Sequence, residues 1–451
     1  MVDMRKGEID IITLGCSKNL VDAERLMRQL ELAGYRCVHD SPQPKGEIAI
    51  INTCGFIGDA KEESIEMILQ FAERKNRGKL GKLYVMGCLS QRYAKELPAE
   101  IPEVDGWFGK FDYLGIVREV QELRSLGGQE IQSETYERTL TTPSHYTYLK
   151  IAEGCNRYCS YCAIPLITGK FTSRQIEDIL DEVKWLVGKG VKEFNVIAQD
   201  LSSYGLDIYD DHRLAELLDQ MAQVEGVEWI RIHYTYPTDF PYDILPIMAK
   251  HSNICKYMDI ALQHCSDNML KLMRRRITRE EQDALIARIR KEVPGICLRT
   301  TLLVGHPGET KEDFNELCKW VEEMKFDRLG AFAYSEEEGT YAARHYTDDI
   351  PQEEKDRRVD TIMALQQTIS SEILSQMVGT QQRVIIDREE DEYYIGRTQY
   401  DSPEVDCEVL IAKRGDKAMR RKVKGEEKLK IGEFYTVNII KSEDFDLYAS
   451  L

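Results

Sequence analysis

Between residues 8 and about 124, short apolar runs alternate with longer segments in which apolar positions recur at helical spacing. The runs 9–16, 47–54 and 82–88 are too short and too evenly apolar for amphipathic helices, and they read as strands buried on both faces. Segments 19–34 and 59–76 carry the helical pattern between them. Such alternation implies a parallel sheet with helices on its faces. Each of the three strands finishes on a cysteine: Cys16, Cys54 and Cys88. Ligands of open α/β sheets gather beyond the carboxyl ends of strands, so these distant thiols can converge on one site.

Residues 125–140 hold Gly, Ser and Thr without apolar periodicity and read as a linker. A second alternation follows, with strand candidates near 145–154, 192–198, 228–234, 256–262, 296–304 and 327–334. The clearest helix between them places Ile176, Ile179, Leu180, Val183, Leu186 and Val187 on one face, with Ser173 as a candidate N-cap. Six such units build a partial barrel, not the closed eight-unit form, and an open barrel admits a large substrate. Residues 351–375 read as one polar helix leading out of it, and beyond 376 the pattern changes to short alternating strands. The expected fold is α/β throughout most of the chain. It comprises an N-terminal parallel-sheet α/β domain (5–124), the linker (125–140), a partial (β/α)6 barrel (141–375) and a small antiparallel OB-like β-barrel (376–451).

Composition narrows the function. The chain has 451 residues, 42% of them hydrophobic, which supports several packed domains. Its net charge of -18 argues against direct nucleic-acid binding by the chain as a whole and favours a basic partner. The local exception is 413–430, with nine basic and three acidic residues, which suits either a solvated hairpin or an RNA contact. No stretch approaches the roughly 18 consecutive apolar residues of a membrane span, and the first residues lack a signal-peptide pattern, so the expected location is the cytoplasm. Twelve cysteines there are poor disulfide candidates and better metal ligands.

Two sets of cysteines have the right company. In Cys155-Asn-Arg-Tyr-Cys159-Ser-Tyr-Cys162, three thiolates share one loop after the first barrel strand, where they can wrap a four-iron cluster and leave one iron open. Zinc is the competing ligand, but it needs a fourth Cys or His at short spacing, and the next histidine, His212, is 50 residues beyond Cys162. Cys16, Cys54 and Cys88 follow no short metal motif, and buried thiols remain an alternative to a second three-thiolate cluster. Each does sit beside glycine or polar turn residues. The cysteines at 37, 255, 265, 297, 318 and 407 lack such neighbours and read as small core residues, Cys265 beside His264 being the least settled. Segment 302–310 is a strand ending in a glycine turn, with Thr310 placed to cap the next helix. Gln199, Asp200, Gln263 and His264 also follow barrel strands, where active-site groups belong; His264 equally suits a satisfied structural role.

The Cys155 to Cys162 segment resembles the radical S-adenosylmethionine signature. That resemblance implies a 4Fe–4S cluster whose open iron chelates S-adenosylmethionine, with Tyr161 against the adenine and the turn containing Gly305, Gly308 and Glu309 along the adenosyl part. Gln199, Gln263 and His264 join these as candidate cofactor contacts. The words Leu14-Gly15-Cys16-Ser17-Lys18-Asn19, Asn52-Thr53-Cys54-Gly55 and Met86-Gly87-Cys88, ahead of that signature, resemble the methylthiotransferase family over essentially the whole chain. The family implies a second 4Fe–4S cluster on Cys16, Cys54 and Cys88, a terminal TRAM barrel, and an electron donor such as a flavodoxin or ferredoxin.

The segments LGCSKNLVDAE, VIAQDLSSYGLDIY, LGAFAYSEEEGT and GRTQYDSPEVD resemble the branch acting on an aspartate of the twelfth small-subunit ribosomal protein more than the branch acting on transfer-RNA adenosine. The implied reaction replaces a hydrogen on the aspartate β-carbon with a methylthio group. No catalytic group beyond the cluster ligands is legible. Glu336, Glu337, Glu338, Asp401, Glu404 and Asp406 would suit a basic ribosomal-protein loop, or form a solvated acidic surface. One departure stands out: Thr168 precedes Gly169 where the family usually has a basic residue.

Overall fold

The computed structural model describes residues 4–110, 112–123, 136–413 and 428–451. Its first sheet consists of β1 (Arg5–Thr13), β2 (Arg36–His39), β3 (Gly46–Thr53), β4 (Lys82–Gly87) and β5 (Gly106–Trp107). All pairs are parallel, in the order β2-β1-β3-β4-β5. The strands are apolar on both sides because both faces are covered: α1 (Ser17–Leu32) packs Ala23, Leu26 and Leu30 against one, and α2 (Gly58–Asn76) packs Ile68 and Phe71 against the other. The three cysteines fall just past the ends of β1, β3 and β4, Cys88 being the first residue of a short helix, α3 (Cys88–Arg92).

The second sheet contains β6 (Tyr146–Lys150), β9 (Glu193–Ile197), β10 (Trp229–Thr235), β11 (Ile254–Gln263), β12 (Cys297–Val304) and β13 (Arg328–Ala333). They run parallel, in the order β6-β9-β10-β11-β12-β13, an open barrel of six strands. A two-residue pair, β7 (Ala152–Glu153) with β8 (Thr172–Ser173), clasps the base of the loop that holds Cys155, Cys159 and Cys162. Thr310 caps its helix as expected, in a reciprocal capping box with Asp313. Ser173 does not cap the helix Ile176–Gly188; its hydroxyl donates to Asp207 Oδ1 at 2.6 Å instead, and Gln175 holds the cap position. The polar helix Gln352–Ser375 buries Ile362, Ile369 and Leu374.

The terminal unit is a closed barrel of β14 (Gln381–Glu390), β15 (Tyr393–Thr398), β16 (Val409–Ala412), β17 (Phe434–Ser442) and β18 (Leu447–Ser450). It is not antiparallel throughout, because β16 and β18 close the cylinder as a parallel pair. Most of the basic stretch 413–430, and residues 125–135 of the expected linker, lie outside the described residues. The remainder of that linker, 136–140, is pinned: the Arg138 guanidinium is buried against Glu24 (2.5 Å) and Glu182 (3.1 Å).

Buried ion pairs join the terminal barrel to the open barrel. Arg397 of β15 reaches Glu193 at 2.7 Å and Asp387 at 2.6 Å, and Arg231 meets the same Glu193 at 3.1 Å. Arg328 binds Asp401 at 2.5 Å, and Arg299 lies 3.4 Å from Asp406, whose other oxygen accepts from the Tyr257 hydroxyl at 2.8 Å. Removing one member of such a buried set strands its partner's charge, at a cost of about 3–5 kcal/mol. Arg397→Met is therefore expected to lower the denaturation midpoint by that equivalent in an equilibrium urea titration. Lys441→Ala, which breaks the exposed pair with Glu443, leaves the midpoint unchanged.

Candidate functional site: two facing thiol sets

The loop from Gly154 to Phe171 is fixed by its own backbone. Gly154 adopts φ +83°, and a side chain there would collide with the Lys170 carbonyl. The Cys155 amide donates to Gly169 O at 3.3 Å, the Cys162 amide to Cys159 O at 3.1 Å, and the Phe171 amide to Asn156 Oδ1 at 3.1 Å. Arg157 lashes the loop to the ends of two barrel strands: it donates to Asp200 Oδ2 at 2.7 Å and to Asp239 Oδ2 at 3.0 Å, and lies 4.4 Å from the Tyr236 ring centre.

Cys155 and Cys159 are buried and Cys162 is half-buried. Burial pushes the Cys155 thiol up to about 12, and it raises Cys162 as well; neighbouring thiols add to both effects. Three thiolates together are thus costly unless a cationic centre neutralises them, which couples ligand loading to deprotonation. Cationic and hydroxyl donors already face the set. The buried Arg275 guanidinium donates to Cys159 Sγ at 3.3 Å, and the Tyr236 hydroxyl lies 3.4 Å from the same sulfur.

The second set gathers from three strand ends. Cys16 is exposed at the N-cap position of α1, Cys54 is buried, and Cys88 is half-buried. The approach is tight: Gly15, at φ +90°, would carry a side-chain carbon 2.7 Å from Cys54 Cβ and 2.9 Å from its sulfur. Asn19 holds two of the loops together, its Nδ2 donating to Leu14 O at 2.9 Å and Thr53 O at 3.1 Å. Asn52 Nδ2 donates to Asn19 O at 2.8 Å, and the Thr53 hydroxyl to Met86 O at 2.6 Å. Burial drives Cys88 up to about 12 while Lys110 pulls it down, and ionised Cys16 and Cys54 would raise it further. The three thiols are therefore mutual neighbours. Among the described residues no three Cys, His, Asp or Glu side chains close around a single metal ion. Two clustered but spread sets of soft donors fit polynuclear iron–sulfur centres, whose ligands each take a different iron.

One buried charge network touches both sets. Lys150 pairs with Asp22 of α1 and with Glu153 Oε2 (2.7 Å), and Lys110 reaches Glu153 Oε1 at 2.9 Å and Asp22 at 3.8 Å. Glu153 lies two residues before Cys155, whereas Lys110 acts on Cys88. Burial would raise the Glu153 carboxyl, but Lys150 and Lys110 prevail and hold it well below the usual carboxylate range.

The other sequence-predicted residues divide by what they touch. Gln199 donates its amide to Glu153, and its buried Oε1 has no partner among the described residues, an acceptor that a ligand donor would satisfy. Tyr161 stacks edge-on to His306, ring centres 6.4 Å apart. Gln263 sits at φ +70° at the end of β11. His264 is wholly buried: its Nδ1 accepts from the Cys265 and Ser266 amides at 3.0 Å, and its Nε2 lies 3.2 Å from Glu309. Glu309 in turn accepts from the Gly305 amide and from Arg358 Nη1 at 2.6 Å. Both polar groups find partners within the chain and shape the turn. The glycines at 305 and 308 (φ +73° and +86°) leave room for Lys355 and Leu272 respectively.

The acidic residues divide in the same way. Glu337 is buried between Arg92 (2.7 Å) and Lys61 (2.8 Å), and Asp401 and Asp406 are held by Arg328 and Arg299, so none is free for a substrate cation. Glu336 and Glu338 are exposed; Glu404, also exposed, accepts from the Tyr146 hydroxyl at 2.9 Å. Thr168, at the expected basic position, turns its hydroxyl onto Ile164 O. Sequence reading did not single out Arg157, Arg275, Tyr236 or the Lys110 network. A run of three arginines, 274–276, inside an otherwise ordinary helix-end segment was the available signal for Arg275.

Comparison with known proteins agrees with this geometry. The radical SAM superfamily matches residues 149–321, the uncharacterized protein family UPF0004 matches 8–109, and the TRAM domain matches 378–451. A Phocaeicola vulgatus protein named ribosomal protein uS12 methylthiotransferase RimO is 60% identical over 99% of this chain and 100% of its own length. The chain belongs to the RimO methylthiotransferase family. A RimO from Cytophaga hutchinsonii is 48% identical over 99% of this chain and 98% of its own. In fold, the RimO-family chain is similar to the radical S-adenosylmethionine methyltransferase TsrM of Kitasatospora setae, with a TM-score of 0.53 at 13% identity over 85% of this chain and 79% of that one. The radical SAM superfamily implies a 4Fe–4S cluster and S-adenosylmethionine. No helix among the described residues is long and apolar enough to cross a membrane.

His306, behind this loop, has a definite protonation state. Its Nδ1 lies 2.9 Å from the Pro307 carbonyl, which only accepts, so Nδ1 carries the proton and Nε2 accepts from the Ser160 hydroxyl at 3.1 Å. Burial depresses its pKa to about 4 from an ordinary 6.5. A depressed histidine stabilises the fold fully above its unfolded pKa, and that contribution is lost as pH falls from about 6.5 toward 4. Ring-carbon chemical shifts should report His306 neutral at pH 5.5, and His306→Gln should flatten part of the fall in thermal midpoint across that window.

Proposed function

We propose that this chain methylthiolates the β-carbon of an aspartate in ribosomal protein uS12, the protein that appears in the names of its relatives. The observation that carries the reading is the single buried Asp22–Lys150–Glu153–Lys110 network, which reaches both thiol sets. Replacing an unactivated C–H bond with a sulfur substituent needs a radical source and a sulfur site within reach of one atom.

In this reading Cys155, Cys159 and Cys162 hold the cluster that binds S-adenosylmethionine, and Cys16, Cys54 and Cys88 hold an auxiliary 4Fe–4S cluster. When bound, the first supplies the electron that cleaves S-adenosylmethionine to a hydrogen-abstracting radical, and the second supplies an open iron for sulfur. The chain contributes position and exclusion of water. Arg157 and the Gly154 turn fix the cysteine loop over the strand ends, Gln199 offers its orphan carbonyl to the cofactor, and Tyr161 offers an aromatic face. Arg275 neutralises charge at Cys159. Exposed Glu336, Glu338 and Glu404 are the acidic groups left to meet a basic ribosomal protein. The chain's net charge of -18 disfavours a transfer-RNA substrate, whose phosphates it would repel. One-electron chemistry calls for a small carrier of the flavodoxin or ferredoxin kind, and a ribosomal substrate for the cytoplasm.

Mass spectrometry of uS12 from a deletion strain, complemented with the parent or with Cys54→Ala, tests the division of labour. The parent restores a methylthio mass on one aspartate. The Cys54→Ala protein, reconstituted without oxygen, keeps roughly half the iron and still cleaves S-adenosylmethionine, but leaves uS12 unmodified. Methylthiolated uS12 in the variant strain would refute the assignment of the second set.

A further inference from the structure

Lys18 is the second residue of α1, two positions beyond Cys16, and only 8% of its surface is exposed. Its ammonium lies 3.4 Å from the centre of the Tyr234 ring. Among the described residues no carboxylate stands within ion-pair distance of it. The nearby acids are already engaged. Asp22, one turn along the helix, is held by Lys150 and Lys110, and Asp259 is held by Arg299 at 3.3 Å and the Tyr234 amide at 3.2 Å. His233, beside Tyr234, offers no compensation, because burial and then Arg231, Arg299 and Lys18 keep it neutral. A ring face offsets only part of the cost of withdrawing an ammonium from water, so this cation lacks a counter-ion.

Its position is specific. Tyr234, the penultimate residue of β10, adopts φ +59°, a strained conformation for a non-glycine residue. Two residues on, the Tyr236 hydroxyl lies 3.4 Å from Cys159 Sγ. Lys18 is thus linked along its own chain to the Cys16 set and, through the Tyr234–Tyr236 segment, to the Cys155 set. A ligand that supplied the missing negative charge would sit between the two.

We propose that Lys18 binds the side-chain carboxylate of the substrate aspartate and thereby selects aspartate as the residue modified. The proposal rests on the function inferred above. The β-carbon is bonded directly to the carboxylate carbon, so anchoring that group places the reacting carbon close to both thiol sets. An asparagine amide at the same place would leave the ammonium without its ion. Lys18 acts in binding alone. S-adenosylmethionine also carries a carboxylate, and the experiment separates the two sources.

Binding of fluorescently labelled uS12 is measured by anisotropy, with enzyme reconstituted anaerobically and S-adenosylmethionine present. The parent should bind uS12 about tenfold or more tightly than uS12 in which the modified aspartate is asparagine, the factor expected of a charge-assisted hydrogen bond. Lys18→Met should bind both proteins alike at the weaker level, Lys18→Arg should keep the preference, and equilibrium dialysis should find parental S-adenosylmethionine binding in both. Iron content reports folding and cluster loading, and Lys18→Gln replaces the Met variant if that loses iron. An aspartate preference that survives in Lys18→Met, a loss of S-adenosylmethionine binding in its place, or a loss of iron in both the Met and Gln variants overturns the proposal. A parent enzyme that does not bind uS12 refutes the substrate reading itself, and is distinguishable because the failure precedes any substitution.

Discussion

The arrangement depends on four charged side chains that meet where the first sheet is laid against the open barrel. Asp22 belongs to α1, Lys110 follows β5, and Lys150 and Glu153 flank the start of the cysteine loop. Their pairing ties the relative position of two domains to the formation of one network. A shift of the first domain would separate ions in a low-dielectric joint as well as slide an apolar face. The two thiol sets inherit that registration, because each lies within a few residues of, or in electrostatic contact with, a member of the network.

The terminal barrel is registered by the same physics at the other side of the sheet. Arg397, Glu193, Arg231 and Asp387 interlock across the boundary, and the loop carrying Asp401 to Asp406 reaches Arg328, Arg299 and Tyr257 on three barrel strands. Asp401 and Asp406 thus serve as mortar between the two barrels, as Glu337 does at the first sheet. The six-stranded sheet remains open between β6 and β13, which are not paired with each other. That geometry suits a protein substrate better than a closed barrel would.

Polar satisfaction separates scaffold from site. His264 and Glu309 have all their acceptors and donors met by this chain, and they hold the turn around Gly305 and Gly308. Gln199 Oε1 and the Lys18 ammonium are incomplete, one lacking a donor and the other an anion. Both lie close to the thiol sets.

Much of this was legible in the chain itself. The alternation of apolar runs and amphipathic segments located all six barrel strands and the three strands that end at Cys16, Cys54 and Cys88, because burial on two faces imposes its pattern locally. The Thr310 cap was legible for the same reason, its partner Asp313 being three residues away, whereas Ser173 was misread because Asp207, 34 residues on, claimed its hydroxyl. The spacing of Cys155, Cys159 and Cys162 likewise declared a shared loop. Tertiary structure alone decided which charges face which: that Glu337 joins Arg92 across 245 positions, that Lys110 reaches Glu153, and that Lys18 is left over. Hydrophobic periodicity is a property of neighbours along the chain. The pairing of buried ions depends on which distant segments are folded together and on the removal of the water between them.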